Sequence, residues 1–191
     1  MYDEIYLRAL TGRVVAKAAA DLGINKLAVV APKNILCSAM GAAIESAFVS
    51  YTGGISGHFE RAPEGFDSVL LAFGGESPVE EMKRAFVEKL KDMAEREIES
   101  DVIIHVRTYG MGGLDMALED ETIAEYLTER ATYVYTVDLE HGIFKMNEIL
   151  WDEEYQLYPV LEYPLTLEHT RLLNKSLRGA SLRWVEEPVE K

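Results

Sequence analysis

Three short, nearly all-apolar runs constrain this chain most: KLAVVAP (26–32), SVLLAF (68–73) and the start of DVIIHVRTYG (101–110). Each is too short for a core helix and too continuous for a strand with one wet face. Such runs read as strands buried on both sides. Amphipathic helices separate them. NILCSAMGAAIESAF (34–48) places Ile35, Leu36, Met40, Ala43, Ile44, Ala47 and Phe48 on one stripe. A neighbouring stripe, Cys37, Ser38, Gly41, Ala42 and Ser46, is unusually small. In the segment 74–98, Val79, Met82, Phe86, Leu90 and Met93 form a second apolar face. There Ser77 and Glu80 have the spacing of a capping box, with Pro78 in the first turn.

HFERAPEGFDSVLLAF (58–73) reads as a hairpin, because Pro63 presets φ and Gly65 is free to take a positive φ. Residues 26–109 therefore spell β-α-β-β-α-β, the order of an α+β, ferredoxin-like core with two helices on one face of an antiparallel sheet. The alternative is a three-layer α/β sandwich with an N-terminal helix on the opposite face. DEIYLRAL (3–10) reads as a short strand, and TGRVVAKAAADLG (11–23) as a helix stopped by Gly23.

After residue 113 the chain reads as a β-α extension. It comprises a helix over 120–127, a strand over 132–138 and a short helix over 142–151. An extended segment over 155–163 follows, with Pro159 marking an edge, then a helix ending at Gly179 and a strand over 181–187. The expected organisation is a single domain, 1–191, with a core over 1–113 and an extension over 114–191. The extension is acidic, with twelve Asp and Glu against two Lys and Arg over 120–168. It is also aromatic-rich, holding six of the ten tyrosines and both tryptophans after residue 125, a composition suited to an interface. A homo-oligomer is expected on that ground and from the small-residue stripe.

Net charge of −14 opposes nucleic acid as a partner, because a phosphate backbone demands basic surface. No apolar run reaches the ~20 residues of a bilayer span, and the acidic N-terminus lacks a signal-peptide pattern. With Cys37 as the single cysteine, the expected setting is the cytoplasm. Many charges and few Asn and Gln suggest a thermophile.

No P-loop, complete G-x-G-x-x-G, CxxC, HExxH or G-x-S-x-G motif is present. No metal site is expected, since His58, His105, His141 and His169 lie far apart. The acidic set Asp115, Glu119, Asp120 and Glu121 is explained mainly by helix capping. No cofactor is identified.

The candidate ligand-binding residues are Gly74, Gly75 and Ser77 at a helix start, with Arg107, Tyr109 and Gly110 at a strand end. Helix N-termini attract anions. A strand over 102–109 would place Ile103, His105, Arg107 and Tyr109 on one face. The catalytic candidates are His105, a titratable imidazole near a fixed guanidinium, and Cys37, in the first turn of its helix. These features describe a soluble protein that binds a small anionic molecule, with any reaction unidentified. The competing reading is a structural or regulatory subunit acting through oligomerisation.

Overall fold

The chain opens with one unbroken helix, α1 (Tyr2–Asp21), where a strand and then a helix were expected. The computed structural model describes residues 1–74, 77–152 and 154–176. A single buried stripe of Leu7, Thr11, Val15, Ala18 and Ala19 runs through both segments of α1, so helical spacing overrides the strand-like content of residues 3–10. Next come β1 (Lys26–Val30), α2 (Ile35–Thr52), β2 (Ile55–Phe59), β3 (Ser68–Leu71), α3 (Val79–Glu95) and β4 (Asp101–Ile104). Short helices α4 (Val106–Gly110), α5 (Gly113–Leu118) and α6 (Glu121–Thr128) lead to β5 (Thr132–Asp138). The antiparallel strands β6 (Ile143–Leu150) and β7 (Gln156–Pro164) follow, and then α7 (Leu167–Ser176). Gly75, the helix stop at Gly179 and the strand expected over 181–187 lie outside the described residues.

The seven strands among the described residues join one sheet, in the order β2-β1-β3-β4-β5-β6-β7. The first five run parallel, and β6 and β7 add an antiparallel margin. This is a mixed α/β fold and not the ferredoxin-like core. β2 and β3 form no hairpin; both pair with β1 in parallel, one on each side. The turn at Ala62–Gly65 is present, with Gly65 at φ 75°, but it lies within a crossover that takes the chain past β1. Ala62 is buried in that crossover, and the rings of Phe59 and Phe66 meet edge to face at 5.2 Å. Asp67 then accepts from the N–H groups of Asn25 and Lys26, at 2.8 and 3.0 Å, pinning the start of β1.

Side chains alternate across the central strands, giving two cores. On one face Leu27, Val29, Leu70 and Ile103 meet Val15 of α1 and Met40, Ile44 and Phe48 of α2. On the other, Ala28, Val30, Val69 and Ile104 meet Phe86, Leu90 and Met93 of α3, with Leu114 of α5 and Ile123 of α6. The layering thus follows the three-layer alternative. Fully buried side chains such as Phe86 and Leu90 each contribute about 1.5–3 kcal/mol of transfer free energy.

Close packing within the chain accounts for part of the small-residue stripe. A Cβ at Gly12 of α1 would sit 2.9 Å from the Met40 carbonyl oxygen of α2, and one at Gly41 would lie 3.2 Å from the His58 ring. α2 is long and apolar enough to cross a membrane by length and composition. Here Leu36, Met40, Ile44 and Phe48 bury its apolar stripe in the core.

The segment expected as a helix over 142–151 is instead β6. Its Met, Leu and Glu favour helices, but pairing with β5 and β7 on both sides decides its state. Asn147 shows why the position suits a strand: its Nδ2 donates to the Val134 carbonyl at 3.1 Å and to Thr136 Oγ1 at 3.0 Å. Opposite it lies Pro159 of the outermost strand β7, next to a break in register that absorbs the missing N–H.

Candidate functional site

The parallel strands present their carboxyl ends at one edge of the sheet. In open α/β sheets, ligands bind at that edge where the strand order reverses. Here the reversal falls between β1, whose chain leaves outward to β2, and β3, whose chain leaves toward β4. The loops after β1, β3 and β4 border this crevice.

β4 ends at Ile104, five residues short of the expected strand end, where its ladder with β3 also ends. His105 becomes the N-cap of α4: its Nδ1 accepts from the Arg107 N–H at 3.0 Å. The shared strand face expected for His105, Arg107 and Tyr109 is therefore replaced by a helical turn.

The His105 ring is 5% exposed and stands edge-on to Tyr135, with centroids 5.3 Å apart. Burial first, then the charges of Arg8 and Arg107, push its imidazole down to about 3. The ring is neutral, and because Nδ1 accepts, hydrogen-bond logic assigns the proton to Nε2.

Among the described residues, two side-chain hydrogen bonds tie α4 to the loop after β3. Arg107 Nη1 donates to the Gly74 carbonyl at 2.8 Å, and Thr108 Oγ1 donates to the Phe73 carbonyl. Gly74 admits no side chain, because a Cβ there would overlap the His105 ring. Burial and the Arg8 charge both lower the Arg107 pKa from its ordinary value. Arg8 comes from α1, is 17% exposed at its side chain and pairs with Glu4 at 3.6 Å.

The expected capping box at α3 does not form. Pro78 takes the N-cap position with no side-chain cap, so Ser77 lies outside the helix and Glu80 pairs with Lys83 at 2.7 Å. Cys37 lies in the first turn of α2, with its N–H donating to the Asn34 cap at 2.9 Å. The residue is buried, at 4% exposure.

Tyr135 is fully buried, and its Oη has no hydrogen bond of ordinary geometry, although the Val106 N–H faces it. Desolvation pushes this phenol well above its usual range.

The structure thus gathers Gly74, His105 and Arg107. Tyr109 departs from the group: its ring packs against Tyr155, centroids 6.4 Å apart, on the α3 side of the sheet. Gly110 is buried at the end of α4. Arg8 and Tyr135 were missed. Reading residues 3–10 as a strand hid Arg8, which one helical turn aligns with Thr11 and Gly12. The alternation of TYVYTVD already indicated a facing position for Tyr135.

The charges of Arg8 and Arg107 both act on the buried His105 ring. Among the described residues, no three His, Cys, Asp or Glu side chains group as metal ligands.

Fold and crevice define an open α/β protein with its candidate site at the strand-order reversal. A family model described as "Uncharacterized protein" matches residues 4–172, and the chain belongs to that family. No curated protein matches the sequence. Among solved structures, the full-length LpoA crystal structure from Haemophilus influenzae is similar at TM-score 0.45 and 8% identity. That match covers 89% of this chain, which spans 27% of the LpoA chain.

Proposed function

We propose that the protein binds a small anionic molecule in the crevice over β1, β3 and β4, with Arg8 and Arg107 as the charged contacts. The observation behind this reading is that the charges of two arginines from distant segments both act on one buried histidine at the carboxyl end of β4, beside the loop after β3. In a chain of net charge −14, positive charge gathered at a crevice suits an anionic ligand. His105 acts as a neutral cap that shapes the site, and no reaction is assigned.

Isothermal titration with inorganic phosphate, pyrophosphate and citrate tests this. Arg107→Ala and Arg8→Gln should each weaken the bound anion by about tenfold or more, equivalent to ~1.4 kcal/mol. Arg8→Gln leaves the Arg107–Gly74 tie in place, so it separates lost charge from lost structure. Wild-type affinity in both variants would overturn the proposal.

The reading as an associating subunit draws on the β2 edge, where Ile55 is 57% exposed and Tyr51, just before it, 49%. Light scattering over a concentration series, with Ile55→Lys as comparator, would test it; a monomer throughout would remove it.

A further inference from the structure

A second concavity lies on the α3 side of the sheet. Asp115 and Leu118 of α5, together with α6, form one wall, and Trp151, Asp152, Glu154 and Tyr155 from the β6–β7 connection form the other. The cleft has a volume of about 530 Å³, within the range of small-molecule sites.

Its walls combine two features. The rings of Trp151 and Tyr155 meet edge to face, centroids 6.2 Å apart. Among the described residues, the charged ones lining the cleft are acidic: Asp115, Asp152 and Glu154. Tyr155 Oη donates to Asp115 Oδ1 at 2.7 Å, which holds that carboxylate at the aromatic wall. The surrounding segment, 120–168, carries a balance of −10 from twelve acidic and two basic residues. The Trp151 indole N–H is buried with no hydrogen-bond partner among the described residues.

Charge complementarity selects a cation, and the geometry selects its kind. Among the described residues, these carboxylates form no metal-ligand group. They are spread around a space far larger than a bare ion needs, beside aromatic carbon. Aromatic faces attract ammonium groups and cover alkyl chains. We propose that this cleft binds a small aliphatic amine in its protonated form. Its alkyl chain lies along Trp151 and Tyr155, and its ammonium group faces Asp152 and Glu154.

Isothermal titration of the full chain at constant ionic strength tests the proposal. The probes are 1,4-diaminobutane and 4-aminobutanol, with uncharged 1,4-butanediol and magnesium chloride as comparators. Saturable binding of at least one amine is expected, with the diol silent. The double variant Asp152→Asn, Glu154→Gln alters exposed positions and should weaken binding about tenfold or more. Trp151→Leu should weaken the amines with no gain in magnesium binding. The proposal is overturned if neither amine saturates by millimolar concentration, or if the diol or magnesium matches the amines. An unchanged affinity in the double variant overturns it equally.

Discussion

At Gly74 a hydrogen atom does what no side chain could. The His105 ring occupies the space of a Cβ, while the Gly74 carbonyl holds Arg107. Gly74→Ala must displace the ring, and with it the cap of α4. The expected cost is about 1–3 kcal/mol, read as a lower urea midpoint at unchanged slope. An unchanged midpoint would show that the ring moves aside freely. Asn34 offers a simpler case: its Oδ1 caps the α2 N-terminus at Cys37, so Asn34→Ala should cost about 1 kcal/mol in the same assay. Legibility at this scale was uneven. Gly74, His105 and Arg107 stood out by residue type and do come together. Tyr109 had the same apparent phase, but the helical turn that begins at His105 sends it to the other side of the sheet.

Among the elements, α1 and α2 show what close approach requires. A Cβ at Gly12 would press on the Met40 backbone carbonyl at 2.9 Å, which cannot yield without moving the helix. At Gly41 the neighbour is a His58 side chain at 3.2 Å, which can rotate. Gly12→Val should therefore lower the melting temperature clearly, by roughly 2 kcal/mol in stability, whereas Gly41→Ala should cost under about 1 kcal/mol. Equal shifts in a thermal melt would contradict this packing. The helices of the central region were legible because each shows an apolar stripe at helical spacing. β6 was not: Lys145, Met146, Asn147 and Glu148 carry no strand preference, and only the ladders on both sides hold them extended.

For the whole molecule, acid is the revealing variable. His105 and His169 are both buried and held neutral, at about 3 and about 4. His169 also joins α7 to α1, with its Nε2 3.0 Å from Thr11 Oγ1. Each would protonate near pH 6.5 once unfolded, so below that pH the unfolded chain binds more protons. Stability from these groups is complete above about pH 6.5 and falls as pH drops toward the folded values. The slope approaches ~1.4 kcal/mol per pH unit for each histidine. Urea midpoints measured from pH 7 to pH 4 should show this decline, and His169→Gln should flatten it. A flat wild-type profile would mean that the rings stay accessible to protons in the folded protein.

The sequence by itself determined the pieces: three apolar strands, two amphipathic helices between them, and an acidic second half rich in aromatics. These follow from side-chain periodicity and backbone preference, which are local. Only the tertiary structure decided that β2 and β3 flank β1 in parallel, that β6 is a strand, and that the charge of Arg8 on α1 acts on His105. A strand buried on both faces looks the same whichever way its neighbours run. Direction and order are settled by which partners satisfy its backbone and cover its faces, and those partners lie far away along the chain.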